Sequence, residues 1–315
     1  MGPSFRKLGF GRLLYQAYYR PLEWLNAMRA AGGLQEQRRT EQGRREMEQA
    51  ARTLPLLPPS TGSSLELHLL SGNRFWFQTA FCLWSFGVNA QRPLSPVIYD
   101  DGTLDAAHRE PLARLFPTIR FVARDESISR LDHDLPTSRF PFLRERWLNY
   151  PNLRKLTDPH VGSDGWKLVL DSDLLFFRRP EFLLRWLDAP VLPLHAVDCE
   201  TSYGYSRSLV NELAGTVVPD LINVGLTGLN SSDLDWERLE YWCRELITRE
   251  RTNYYLEQAL VAMLVGQRNC AIAPAADYVT MPVAPEANEC HAVMHHYVAN
   301  SKKWYFQYNW RRAIA

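Results

Sequence analysis

Two aspartates separated by one residue, Asp171 and Asp173, directly follow the apolar segment WKLVL. This segment predicts a buried strand over 167–170, and two carboxylates at its end are costly to bury unless a positive charge lies between them. A divalent cation would supply that charge, and oxygen ligands suit Mg²⁺ or Mn²⁺. The same spacing occurs twice more, in polar surroundings typical of solvated surface: Asp132/Asp134 and Asp233/Asp235. We therefore expect a metal site at Asp171 and Asp173.

A second polar cluster lies near the end of the chain, where the segment HHYVANSKKW follows an apolar pair. One imidazole and two carboxylates form a suitable set of protein ligands for Mn²⁺, with coordination positions left for two diphosphate oxygens. Lys302, six residues after His296, can offset the remaining negative charge. Alternatively, the histidines are buried strand residues and the lysines belong to a solvated turn.

The elements that must hold these residues alternate between strand and helix. We predict strands at 65–70, 96–99, 119–123, 167–170, 191–197 and 221–229, and helices at 75–88, 104–115, 142–148 and 253–265. Strand–helix–strand units favour a parallel sheet that binds ligands at the carboxyl ends of its strands. The second half of the chain is less regular, which favours a mixed sheet.

In their order along the chain, these motifs resemble those of the GT-A glycosyltransferases that use nucleotide sugars. The resemblance is to the retaining group that contains glycogenin and the bacterial lipopolysaccharide galactosyltransferases. That group has a D-x-D motif and, near its C-terminus, H-x-x-G-x-x-K-P-W. Here His296, Lys302 and Trp304 match, whereas Ala299 replaces the glycine and Lys303 the proline. The resemblance covers roughly residues 65–310.

The resemblance implies an α/β fold of the GT-A (Rossmann-like) type, an α/β/α sandwich with a mixed, mostly parallel sheet. It also implies that Asp171, Asp173 and His296 bind Mn²⁺ or Mg²⁺, and that Lys302 contacts phosphate. Lys155, in a segment similar to the K-L helix of the family, is a further candidate for contact with the diphosphate or base. Further donor contacts are expected by position: Ser71, Gly72 and Arg74 after the first strand, and Asp100 and Asp101 after the second, where a surface turn is the alternative.

Two segments resemble further elements of the group. Asn223, Val224 and Gly225 correspond to its N-S-G segment: the glycine permits close approach of the backbone to a ligand, and Asn223 can offer its amide to a sugar hydroxyl. Glu257 and Gln258 correspond to the start of its D-Q-D element, in which Ala259 here replaces the second aspartate. Glu257 has an alternative explanation, because an acid in the first turn of a helix is favoured by the helix dipole.

These features predict a metal-dependent glycosyltransferase that moves a sugar from a nucleoside diphosphate sugar, with a UDP-sugar favoured, to a glycan or another hydroxyl acceptor. Retention of the anomeric configuration is favoured over inversion. Two alternatives stay open. A catalytically silent relative that binds nucleotide sugars would explain Ala259, and a metal-dependent phosphohydrolase could also use a D-x-D pair.

Composition places these motifs in an ordinary globular protein of 315 residues, with 46% hydrophobic and 23% charged residues. A formal net charge of +1 argues against nucleic-acid binding. Five cysteines without a CxxC pair favour reduced thiols and a cytoplasmic location, with membrane association left open.

Two regions are expected along the chain. Residues 1–64 form a helical N-terminal extension with a proline-rich linker, and residues 65–315 form the catalytic domain. The charged segment 34–53 is expected to be a solvated helix or a tether. Residues 1–22 are basic and aromatic, so they either contact a membrane surface or dock on the body of the protein. We favour docking.

Overall fold

The fold alternates strands and helices as the sequence predicts. The computed structural model describes residues 32–266 and 268–314. The strands are β1 (Leu65–Ser71), β2 (Leu94–Asp100), β3 (Arg120–Val122), β4 (Trp166–Leu170), β5 (Leu174–Phe176), β6 (Leu194–Val197), β7 (Ile222–Asn230), β8 (Ala271–Ile272), β9 (Tyr278–Thr280) and β10 (Met294–His296).

The helices lie between these strands and at both ends. They are α1 (Leu34–Ala51), α2 (Trp76–Ala90), α3 (Ala106–Leu115), α4 (Arg124–Asp134), α5 (Pro141–Asn149), α6 (Arg154–Thr157), α7 (Glu181–Asp188), α8 (Arg207–Ala214), α9 (Trp236–Glu250), α10 (Leu256–Val265), α11 (Ala284–Glu289), α12 (Lys302–Trp304) and α13 (Trp310–Ala313). A π-helical turn, Tyr305–Asn309, joins α12 to α13.

Within residues 32–266 and 268–314, the main sheet has seven strands in the order β3-β2-β1-β4-β7-β6-β8, and β7 alone runs antiparallel to its neighbours. The predicted mixed, mostly parallel sheet is therefore confirmed. After β3 the chain returns to the other side of β1, so β1 and β4 are adjacent but far apart in sequence. Such a switch point leaves a crevice at the carboxyl ends of the two strands.

Helices cover both faces of this sheet, because each face carries an apolar cluster. One cluster joins α2, α3 and α7 to strands that include β1 and β4, and the other joins α5, α8, α9 and α10 to β7. The α/β/α arrangement that the resemblance implies is confirmed. A smaller sheet, in the order β5-β10-β9, lies beside the crevice.

The prediction of an irregular second half is wrong at α9. This helix has 15 residues and buries Leu239, Trp242, Cys243 and Leu246, which lie at the helical spacing i, i+3, i+4, i+7. Asp235 caps its N-terminus by accepting a hydrogen bond from the backbone N–H of Arg238. Both signals are in the sequence.

Helix α1 is neither fully solvated nor a free tether. Gly43, Met47 and Ala51 bury one face of it, and a Cβ on Gly43 would overlap the carbonyl group of Phe306. The amide nitrogen of Gln307 donates to Oε1 of Glu36 at 2.8 Å. The membrane or docking role expected for residues 1–22 falls outside the described residues. Among those described, no helix is both long and apolar enough to cross a bilayer.

Candidate active site

A cleft of about 420 Å³ opens at the crevice beside β1, β4 and β7. Most of the predicted site residues line it, although they come from distant parts of the chain: Ser71, Lys155, Asp171, Asp173, Asn223, Gly225, Glu257, Gln258, His296 and Lys302. Pairing of β5 with β10 brings the C-terminal segment that carries His296 next to the segment that carries Asp171 and Asp173. Because His296 is the partner of Leu174 in this pairing, its ring lies next to the loop that carries the two aspartates.

Asp171, Asp173 and His296 present their ligand atoms within 4.8 Å of one another. Nε2 of His296 lies 3.3 Å from Oδ1 of Asp173 and 3.6 Å from Oδ2 of Asp171. This nitrogen is buried and has no hydrogen bond of acceptable geometry among the described residues. One imidazole nitrogen and two carboxylates form a donor set that suits Mn²⁺ or Mg²⁺. The residues therefore fit a divalent cation.

The same three residues are strongly coupled electrostatically. Burial alone would lower the pKa of His296, but the carboxylates of Asp173 and Asp171 outweigh it and raise that pKa. Burial alone would raise the pKa of Asp173, yet Lys302 and His296 hold it below its ordinary value. Asp173 thus stays ionised and attracts a cation, whereas His296 must release its proton before its Nε2 can bind one.

Two lysines flank the acidic pair. Nζ of Lys302 lies 3.0 Å from Oδ2 of Asp173, and Nζ of Lys155 lies 2.8 Å from Oδ1 of Asp171. Lys155 also approaches Oε2 of Glu257 at 3.6 Å. Each ammonium group is therefore held at the cleft next to a proposed metal ligand, where it can also reach an anionic ligand.

Glu257 and Gln258 begin helix α10 at the wall of the cleft. Burial raises the pKa of Glu257 to about 7, although Lys155 opposes the shift. The amide nitrogen of Gln258 donates to Oδ2 of Asp198 at 3.0 Å and to the carbonyl oxygen of Ile222 at 3.0 Å. Ala259 is 0% exposed and packs in an apolar cluster. A carboxylate at that position would be buried in the core and would not face the cleft.

Asn223 and Gly225, on strand β7 of the main sheet, contact His296, which lies on β10 of the smaller sheet. Oδ1 of Asn223 lies 3.1 Å from Nδ1 of His296 and accepts a hydrogen bond from the backbone N–H of Gly225 at 2.9 Å. The backbone carbonyl of Gly225 in turn accepts from the N–H of Asp171 at 2.8 Å. Gly225 thus permits a close approach to the backbone, as expected, but the group that approaches is the His296 ring and not a ligand.

Three of the expected donor contacts lie elsewhere. Both carboxylate oxygens of Asp100 are engaged: Oδ1 accepts the backbone N–H groups of residues 102, 103 and 104, and Oδ2 accepts Arg109 at 2.7 Å. Arg74 lines an adjacent cavity next to helix α1, which shares Phe75 and Lys302 with the cleft. Gly72 packs against Asp101, and a Cβ on it would overlap that carboxylate. Of the two candidates after the second strand, Asp101 lines the cleft and Asp100 does not.

Other cleft residues have weaker signals in the sequence. Asp198 ends β6 and joins Asn223 to Gln258, and its position at a strand end was the only signal in the sequence. Tyr254 and Tyr255 lie at the cleft with 66% and 39% of their surfaces exposed. Their place just before helix α10 gave no signal of its own, because exposed tyrosines are common in loops.

The C-terminal motif has a structural explanation for its glycine position. Ala299, which stands where the related group has glycine, has φ of 45°. This left-handed conformation costs an L-residue roughly 1–2 kcal/mol and favours glycine. The aromatic residues that follow anchor the C-terminus: Tyr305 stacks on Tyr297, and Trp310 packs edge-on against Phe81.

Comparison with known proteins extends the result on the fold. No family model matches the chain, and no curated protein matches its sequence. The apo structure of mouse xyloside xylosyltransferase 1 matches with a TM-score of 0.51 at 11% identity, over 76% of this chain and 99% of that one. The bifunctional glycosyltransferase WbbM matches with a TM-score of 0.50 at 13% identity, over 81% of this chain and 51% of that one. The chain therefore has the fold of these glycosyltransferases, the GT-A fold.

Proposed function

We propose that this protein is a glycosyltransferase that uses a nucleoside diphosphate sugar and a divalent cation. One observation carries the proposal: Asp171, Asp173 and His296 converge within 4.8 Å although the histidine lies more than a hundred positions from the aspartates. They do so at the switch point of the sheet, where α/β proteins bind nucleotides. The flanking lysines supply the charge that a diphosphate requires.

Asp171, Asp173 and His296 would hold Mn²⁺ or Mg²⁺. When bound, the cation would neutralise charge that develops on the diphosphate as the bond to the sugar breaks. Lys302 and Lys155 turn from their carboxylates toward the diphosphate oxygens and stabilise the same charge. A UDP-sugar is the favoured donor. Ser71 and Asp101, at the ends of the first two strands, contact its nucleoside.

In the transfer, the bond between the anomeric carbon and the diphosphate oxygen breaks, and a bond forms from an acceptor hydroxyl oxygen to that carbon. In a retaining reaction, which we favour, the hydroxyl proton passes to the departing diphosphate. In an inverting reaction it passes to Glu257, whose pKa of about 7 suits a general base at neutral pH. Gln258 orients the sugar.

The acceptor is a glycan or another molecule with a free hydroxyl. The exposed rings of Tyr254 and Tyr255 at the cleft support a sugar acceptor, because aromatic faces pack well against the apolar faces of sugar rings. All five cysteines are free thiols, which supports a cytoplasmic location.

A relative that binds nucleotide sugars without transferring them is the second candidate. Its motivation is the missing second carboxylate of the related D-Q-D element, where this chain has Ala259. A screen of UDP- and GDP-sugars with Mn²⁺, in which nucleotide release is measured, decides between an active transferase and a silent relative. Turnover that falls at least 100-fold in Asp173→Asn, but not in the surface control Asp233→Asn, supports the transferase. Calorimetric binding without release over a broad set of acceptors favours the silent relative.

A further inference from the structure

The orientation of the Asn223 side-chain amide is determined from two sides. The backbone N–H of Gly225 can only donate, so the atom that faces it at 2.9 Å must be the carbonyl oxygen of Asn223. The carboxylate of Asp198 accepts, so the atom 3.1 Å from its Oδ2 must be the amide nitrogen. The two contacts agree, and the amide has one orientation.

This orientation selects the tautomer of His296. The carbonyl oxygen of Asn223 lies 3.1 Å from Nδ1 of the ring, and because this oxygen only accepts, Nδ1 must carry the hydrogen. In the neutral ring Nε2 then holds a lone pair. That nitrogen lies beside Asp171 and Asp173, is buried, and has no hydrogen bond of acceptable geometry within the part of the chain that the structure describes. The lone pair is thus directed at the acidic pair.

We propose that Asp198 and Asn223 are positioning residues that hold His296 as the tautomer with hydrogen on Nδ1, so that Nε2 is presented to a divalent cation. The inference rests on the metal site of the proposed function. It also changes the role expected for Asn223, whose oxygen is engaged by Gly225 and His296 and whose nitrogen is engaged by Asp198. The carbonyl oxygen of Asn223 therefore acts on the histidine.

Asp198 is itself held in place, so it can fix the orientation of the Asn223 amide. Its Oδ2 also accepts the amide nitrogen of Gln258 at 3.0 Å, and that nitrogen donates to the backbone carbonyl of Ile222 at 3.0 Å. Hydrogen-bond partners of a ligating histidine typically change metal affinity 10- to 100-fold when they are removed. Loss of either residue should therefore weaken the metal site without removing a ligand.

The first test measures Mn²⁺ affinity by electron paramagnetic resonance, with no nucleotide present. Asn223→Ala and Asp198→Ala should each weaken binding about tenfold or more. Asp198→Asn keeps an acceptor oxygen and should retain most of the affinity. Asn230→Ala, at the end of the same strand, is the matched control and should bind as the wild type does. Wild-type affinity in a folded Asn223→Ala variant would overturn the proposal.

The second test needs no variant to fold well. In ¹⁵N-labelled wild-type protein without metal, nuclear magnetic resonance at the alkaline end of the His296 titration reports which ring nitrogen carries hydrogen. Hydrogen on Nδ1 is the expected result, and hydrogen on Nε2 would overturn the proposal. If the wild type binds no Mn²⁺, the metal site of the proposed function fails, whereas the tautomer measurement still decides the roles of Asp198 and Asn223.

Discussion

The ring of His296 fills the space that a side chain at position 225 would occupy. A Cβ on Gly225 would lie 2.6 Å from Nδ1 of His296 and closer still to Cε1. The imidazole is thus packed directly on the backbone of β7, next to the Asn223 oxygen that contacts its Nδ1. Strand β7 therefore determines where the proposed third metal ligand lies.

Substitution Gly225→Ala should displace the His296 ring and weaken Mn²⁺ binding tenfold or more, because the added Cβ and the imidazole cannot occupy one space. Gly228→Ala is the matched control on the same strand. There a Cβ would lie 2.6 Å from Cη2 of Trp186, away from the cleft. Both variants should lose about 1–3 kcal/mol of unfolding free energy. Equal Mn²⁺ affinity in the two, measured by magnetic resonance, would show that Gly225 has no special relation to the metal site.

Lys302 should have opposite effects on catalysis and on metal binding in the absence of donor. Lys302→Met removes the ammonium group 3.0 Å from Asp173, so free protein should bind Mn²⁺ several-fold more tightly. With donor present, kcat/KM should fall about 100-fold, since a charge that stabilises the departing diphosphate is lost.

The neighbouring lysine provides the control for this prediction. Nζ of Lys303 lies over the ring of Trp304 at 4.5 Å from its centroid, and Lys303 does not line the cleft. Lys303→Met should leave both the Mn²⁺ affinity and kcat/KM within about twofold of the wild type. Steady-state kinetics and Mn²⁺ titration of the two variants check the pair. Weaker Mn²⁺ binding in Lys302→Met would contradict the account.

Because helix α1 packs on the C-terminal turn, we expect Gly43→Ala to destabilise the protein, although the same change usually stabilises a helix. In an isolated helix this change stabilises by about 1 kcal/mol. Here the Cβ would overlap the carbonyl of Phe306, so we expect a loss of about 1–3 kcal/mol in the free energy of unfolding. Urea unfolding measures it, with the exposed Gln42→Ala as the control. A stabilised Gly43→Ala variant would mean that the extension does not dock on residues 305–309.

Stability should fall in acid because of His160, which is 2% exposed and lies 2.9 Å from the hydroxyl of Ser231. Burial, aided by His68 and Lys167, lowers the pKa of His160 to about 3. In the unfolded chain a histidine titrates near 6.5. Below that pH His160 binds a proton in the unfolded chain but stays neutral in the folded protein. The unfolding free energy therefore falls by up to about 1.4 kcal/mol per pH unit.

Urea unfolding between pH 6.5 and 5 tests this contribution. His160→Gln should reduce the loss of stability over that interval by about 2 kcal/mol relative to the wild type. The control is His133→Gln, at an exposed position on α4, which should keep the wild-type slope. An unchanged slope in His160→Gln would contradict the assignment, whatever its stability at neutral pH.

The sheet and most of its helices could be predicted because their signals are local. An apolar run such as WKLVL forms a strand wherever it pairs, and the carboxylates after it lie at the strand end. The convergence of His296 with Asp173 was expected only from the order of motifs, because the pairing of β5 with β10 is a long-range contact.

The sequence could not show which of two adjacent aspartates lines the cleft, or which side chains hydrogen-bond to Asp198. Asp100 and Asp101 are adjacent and identical, and both accept hydrogen bonds from the turn at residues 102–104, but only the fold determines that Asp101 is the one that lines the cleft. The role of Asp198 depends in the same way on two amides from different elements, β7 and α10.

Mn²⁺ titration followed by magnetic resonance, in the presence of UDP, tests the central claim most directly. The wild type should bind one tightly held Mn²⁺ per chain, and the double variant Asp171→Asn/Asp173→Asn should lose it. The surface pair Asp233→Asn/Asp235→Asn has the same spacing and should bind as the wild type does, since asparagine still caps α9. Unchanged stoichiometry and affinity in the first double variant would contradict the account.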